Sequence, residues 1–172
     1  NLQALLDAQA AGKLPHGEIA LVVASRSDAY ALTRAADRGI PSEVVRRKDF
    51  EDQAAYEDAL ASLMRENKID LIVLAGFMSI LSKAFTDRFP QRMINIHPSL
   101  IPSFCGKGFY GIHVHEAALR YGVKVSGATV HFVNEIPDGG QIIRQKAVPV
   151  LEGDTPETLQ RRIMEQAEWE LL

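Results

Sequence analysis

The apolar positions of this chain recur with two different spacings. Residues 17–25, 70–76 and 92–97 are short apolar runs without helical period, and they predict buried strands. Residues 40–47 read as a further short strand. Between these runs the spacing becomes helical. Residues 1–11 place Leu2, Leu5 and Leu6 on one side. Residues 27–39 offer Ser27 or Asp28 as a cap and Gly39 as a stop. Residues 50–68 carry Tyr56, Leu60 and Leu63 on one face, and residues 80–90 form a short helix stopped by Pro90. Helices alternating with apolar strands predict a mostly parallel sheet covered on both faces. The end of the chain departs from this rhythm. Residues 124–133 and 140–150 are strands separated by a turn-like segment, which predicts an antiparallel pair. A last helix starts at Thr155 with Pro156 at its first position, and turns Leu159, Ile163 and Met164 inward. No repeat, low-complexity tract or linker divides the chain.

Composition narrows the function classes. A net charge of −3 gives no bulk electrostatic attraction to nucleic acid or to a membrane surface, and neither is expected as a partner. No apolar run is long enough to span a bilayer. There is no signal-peptide pattern, and Cys105 is the only cysteine, which excludes an internal disulfide framework. A cytoplasmic location is the expectation.

Two stretches carry candidate chemistry. The strand at 92–97 ends with Asn95 and His97, two residues apart and therefore on one face. Polar pairs at the carboxyl end of an apolar strand stand where open α/β sheets bind ligands. Pro98 and Pro102 stiffen the exit, and a Gly-rich stretch follows. The second stretch is Ile136–Gly140, where Pro137 precedes Asp138 and two glycines follow it. Taken alone it reads first as a plain turn, and only second as a carboxylate held on a loop tip. His113 and His115 begin a helix, where i and i+2 do not share a face. With one cysteine and no HExxH or CxxC spacing, no metal is expected. His16 and His131 offer nothing beyond packing, Lys107 reads as solvated, and Cys105 as incidental.

Taken together, the runs LAGFMSIL, NIHPSLIP and VSGATVHFVNEIPDGG resemble the folate-dependent formyltransferases over essentially the whole chain. Pro98 matches the purine-synthesis branch. The branch that acts on methionyl-tRNA usually has Gly there, and the formyl-folate hydrolases usually have His. The resemblance implies a Rossmann-like α/β formyltransferase fold, in one domain over residues 1–172 that is truncated at both ends. It places the first strand and most of a Gly-Ser-Asn phosphate loop before Asn1. It implies formyl transfer from 10-formyltetrahydrofolate to glycinamide ribonucleotide by a monomer or homodimer, without a metal. The alternatives are another formyl-folate transferase or hydrolase, or an inactive folate- or nucleotide-binding fragment. Asn95, His97 and Asp138 match the catalytic trio. Phe77, Met78, Ile80 and Leu81 match the folate-pocket wall, where Ser79 replaces an Arg of some relatives. Val133, Asn134, Glu135, Ile136 and Pro137 match the pterin-receiving loop. Asn1 and Glu168 match residues that bind the nucleotide substrate. In that chemistry Asn95 and an imidazolium at His97 donate to the oxyanion. Asp138 holds the imidazolium charged and positions a relay water.

Overall fold

Asn95 and His97 owe their place to strand register. The computed structural model describes residues 1–172 except Met78. The described residues form two compact units, Leu2–Asp70 on the one hand and Asn1 with Leu71–Leu172 on the other.

In the first unit, helix α1 (Leu2–Ala10) is followed by strand β1 (Val22–Ala24), α2 (Tyr30–Ala36) and β2 (Ser42–Val44). β1 and β2 pair in parallel with Val23 opposite Glu43. Leu6, Val22, Ala35 and Ile40 form the apolar cluster these elements share. Neither Ser27 nor Asp28 caps α2. The helix starts later, with Ala29 at its N-cap, and Asp28 instead pairs with Arg26 at 3.3 Å. Helix α3 (Gln53–Glu66) begins at Asp52, whose carboxylate accepts the Ala55 N–H and satisfies one orphan donor. Its buried stripe is Tyr56, Leu60 and Met64 at a four-residue spacing. Leu63 is half-buried at the margin of that stripe.

The second unit is built on a four-stranded sheet in the order β3 (Ile72–Leu74), β4 (Met93–His97), β5 (Val125–Phe132), β6 (Ile142–Pro149). β3 and β4 are parallel, while β4–β5 and β5–β6 are antiparallel. The strand pair expected at the end of the chain therefore continues across to β4. Between β3 and β4, helix α4 is confined to Lys83–Thr86, because Ser82 caps it and accepts the Phe85 N–H. Ile80 lies ahead of that helix and is largely exposed. Helix α5 (Ile112–Tyr121) lies between Gly111 and a left-handed Gly122.

Helix α6 (Pro156–Ile163) starts with a reciprocal cap: Thr155 accepts the Thr158 N–H, and Thr158 accepts the Thr155 N–H. A π-helical turn, Met164–Glu168, and a last short helix α7 (Trp169–Leu171) follow. One face of the sheet supplies Ile96, Ala128, Val130 and Val148, and the helices supply Ala118, Leu159, Ile163 and Ala167. Leu159 and Ile163 are fully buried, each worth roughly 1.5–3 kcal/mol of apolar transfer. Met164, expected inward with them, is only half-buried, and it lines a cavity instead of the apolar cluster. Among the described residues no helix is long and apolar enough to cross a membrane.

Candidate active site

Strand alternation separates core from chemistry. Ile94 and Ile96 of β4 face the apolar cluster, so Asn95 and His97 face the other way. In the antiparallel ladder Asn95 stands opposite His131 and His97 opposite Thr129. Directly opposed residues share a face, so these four polar side chains form one patch. Just after Val130 the register slips: His131 pairs with Ile142 while Val130 pairs with Arg144, which leaves Ile143 as an extra residue in β6.

The patch is closed by two loops. After β4, Ser99 donates to the Ser103 carbonyl at 2.6 Å, and Thr129 donates to the Ser99 carbonyl at 2.7 Å. The Ile101–Pro102 peptide bond is cis. This loop brings the Phe104 carbonyl to 2.8 Å from His97 Nε2, so Nε2 carries a proton and donates it. Asp138 arrives on the loop after β5. Its Oδ2 accepts the Gly106 N–H at 2.9 Å and lies 3.4 Å from His97 Nδ1. Its Oδ1 lies 3.6 Å from His131 Nε2, which in turn is 3.2 Å from the Asn95 amide nitrogen.

The Asp-Gly-Gly run does its work in a different way from the simple turn reading. Asp138 itself takes the positive φ, 55°. Such a backbone is uncommon outside glycine but most accessible to Asn and Asp. Gly139 and Gly140 are there for close approach. A Cβ on Gly140 would stand 1.7 Å from the Phe132 carbonyl oxygen, and one on Gly139 2.5 Å from an Ile136 methyl.

These groups line a cavity of about 510 Å³. Its electrostatics run against one expectation. Burial lowers the pKa of His97, and the Phe104 carbonyl and Asp138 carboxylate, which act the other way, do not restore it. Burial thus favours the neutral ring over the imidazolium expected from Asp138 alone, against the pull of the oxygen acceptor that faces each ring nitrogen. Burial raises the Asp138 carboxyl, but its contact with His131, the Gly106 N–H and the nearby imidazoles outweigh it. Asp138 is held below the ordinary carboxylate value. Elsewhere in the cavity's lining, burial pushes the Glu168 carboxyl up against the hydrogen bond it accepts from Asn1 Nδ2 at 2.7 Å.

A family model described as formyl transferase matches residues 1–172. The chain belongs to the formyl transferase family. Phosphoribosylglycinamide formyltransferase of Haemophilus influenzae is 41% identical over 166 residues, covering 96% of this chain and 76% of the relative. The trifunctional purine biosynthetic protein adenosine-3 of Homo sapiens is 42% identical over 165 residues, which is 95% of this chain but 16% of that protein. The crystal structure of glycinamide ribonucleotide transformylase 1 from Symbiobacterium toebii superposes with a TM-score of 0.90 at 42% identity. It covers 99% of this chain and 77% of that one.

Within this formyltransferase one cavity gathers the described residues that the motifs singled out. Asn95, His97 and Asp138 line it together with Phe77, Ile80 and Leu81 and with the loop Val133, Asn134, Glu135, Ile136 and Pro137. Asn1 and Glu168, far apart in sequence, both line it as well. Met78 lies outside the described residues. Lys107, read as solvated, is exposed but stands on the rim.

Two histidines dismissed as packing residues also line the cavity. His131 touches Asn95 and Asp138 as described. His115 is fully buried, and neither ring nitrogen has a hydrogen-bond partner among the described residues. Burial, with His97 nearby, lowers its pKa to about 4. The signal for His131 was present in the sequence: Thr129-x-His131 repeats the polar alternation of Asn95-x-His97, as facing strands of one polar patch should. His115 had no such signal, since its burial comes from the packing of α5.

Proposed function

We propose that this chain transfers the formyl group of 10-formyltetrahydrofolate to the amine of glycinamide ribonucleotide. The observation that carries this reading is the convergence of Asn95, His97 and Asp138 on one wall of a cavity that also holds an apolar strip and an amide–carboxylate pair. Phe77, Ile80, Leu81 and the 133–137 loop suit the flat, largely apolar pterin of the formyl donor. The Asn1–Glu168 pair suits a hydroxylated, polar acceptor.

The reaction makes one C–N bond and breaks another. The acceptor amine adds to the formyl carbon, the carbonyl becomes a tetrahedral oxyanion, and the bond from that carbon to the folate nitrogen then breaks. One proton leaves the amine and one reaches the departing nitrogen. Asn95 Nδ2 has two N–H bonds. One is directed at His131 and the second is the donor for the developing oxyanion, worth roughly 3–4 kcal/mol of barrier. His97 has its Nε2 proton committed to Phe104, so it is not the second donor in the resting geometry. Its unprotonated Nδ1 beside Asp138 makes the His97–Asp138 pair the proton acceptor. Once protonated, the ring meets an oxygen acceptor at each nitrogen, which stabilises the charge before the proton passes to the leaving nitrogen.

The test is product formation with glycinamide ribonucleotide, other amines and water as acceptors. Transfer to glycinamide ribonucleotide is expected, and release of formate to water alone would overturn the reading. Asn95→Ala and His97→Ala should each cut kcat at least ~100-fold while changing formyl-folate affinity only modestly. Collapse of folate binding in a chain that never turns over would instead identify a binding module.

A further inference from the structure

We infer that His131 is a positioning residue, which sets the Asn95 amide with its nitrogen, not its oxygen, toward the shared face of β4 and β5. The inference rests on the formyl-transfer reading and adds to it a residue that does not touch the reacting atoms.

The argument starts from register. His131 stands directly opposite Asn95 in the antiparallel ladder, so backbone pairing alone brings the two side chains together. The imidazole has two nitrogens, and one is already assigned. Nδ1 lies 2.8 Å from the Phe132 carbonyl oxygen. A carbonyl only accepts, so Nδ1 carries a proton. In the neutral ring Nε2 then has a lone pair, and it lies 3.2 Å from Asn95 Nδ2. An amide N–H meets that lone pair well. A flipped amide would set Oδ1 against it, two acceptors facing each other at the same distance. His131 is 2% exposed, so bulk water does not relieve that repulsion. The Phe132 carbonyl thus selects the tautomer, the tautomer selects the amide orientation, and the amide orientation leaves the second Asn95 N–H free to donate. Asp138 Oδ1, at 3.6 Å, is the acceptor that competes for a proton on Nε2; it stands farther off than the Asn95 amide at 3.2 Å.

A double-mutant cycle separates this role from simple packing. His131→Leu should lower kcat about 10- to 100-fold, a part or all of what loss of an oxyanion donor costs, with the KM for formyl folate changed less than about 3-fold. In an Asn95→Ala background the same change should cost no more than about 2-fold, because there is no amide left to orient. His131→Gln should recover much of the activity, since its Oε1 can accept in place of Nε2. An equal loss of kcat in both backgrounds, or no loss in either, overturns the inference. A direct reading needs no variant: 15N NMR of histidine-labelled protein should show a pyridine-type Nε2 and a pyrrole-type Nδ1 at His131. A pyrrole-type Nε2 there overturns the inference even if every variant misfolds. If the unmutated chain transfers no formyl group, the formyl-transfer reading fails, while the tautomer measurement still decides the geometry.

Discussion

His97 is held between two oxygen acceptors yet has its pKa lowered, because desolvation of the charged ring outweighs both. The neutral ring is the form that accepts a proton. It follows that kcat/KM falls as pH drops through the lowered His97 pKa. The acid limb should therefore lie below the ordinary imidazole value of 6.5, with no loss from this group above it. A pH–rate profile whose histidine-dependent loss fell on the alkaline side would show that the imidazolium is the working form. His115 gives a separate prediction on stability. Its folded pKa of about 4 lies below the ordinary 6.5, so between those values the unfolded chain binds the extra proton. Stability is then full above about pH 6.5 and declines toward pH 4, by up to roughly 3 kcal/mol from this group. Urea unfolding at several pH values should show that slope, and His115→Gln should flatten it. Of these residues, Asn95 and His97 stood out as a polar pair at a strand end, whereas Asp138 was singled out by the resemblance, since its Asp-Gly-Gly run alone reads as a turn. The charge state of His97 was not legible, since burial is set by atoms that local sequence does not name.

At the level of elements, the ladder between β4 and β5 makes the site. It turns two separate sequence patterns into one patch, and its register is fixed by the apolar residues on the reverse side. The loop after β5 is fixed by contact instead. Gly140→Ala should destabilise the protein by at least ~1–3 kcal/mol, because its methyl would overlap the Phe132 carbonyl and the strand end would have to yield. Thermal or denaturant unfolding checks this, and a change under about 0.5 kcal/mol would mean that the loop is free to move. Element type and order were readable from periodicity, while boundaries were not. α2 starts beyond both of its expected caps, and α4 holds four residues where eleven read as helical. At α4 a local hydrogen bond marks the start, with Ser82 Oγ accepting the Phe85 N–H, while α2 begins at Ala29 without any side-chain cap.

For the whole molecule, the cavity draws its described lining from Asn1 and from residues within Leu71–Leu172, and none from Leu2–Asp70. A formyl-folate analogue at 100 times its Kd should add about 2.7 kcal/mol to stability. Hydrogen exchange should then slow most in residues 106–111 and 133–138, with the smallest change within Leu2–Asp70. Uniform slowing of both units would contradict this division. That a site should be assembled from Asn1, the β4 end, the 133–138 loop and Glu168 could not be derived from any one segment, because closure between them is a tertiary event. The π-helical turn Met164–Glu168 has a consequence for variation. It accommodates one residue more than an α-helical turn would, and so sets the direction in which Glu168 leaves the helix. Deleting a single residue there would let the turn rewind to the ordinary α-helical pitch: four residues at about 100° each carry the chain about as far round as the five of the wider turn, so the carboxylate would stay on the face that meets Asn1 while the helix shortened by about 1.5 Å. Replacement of exposed side chains such as Glu165 leaves that winding alone, so this part of the gene should accept point changes at its surface and also the loss of the one residue that the wider turn takes up.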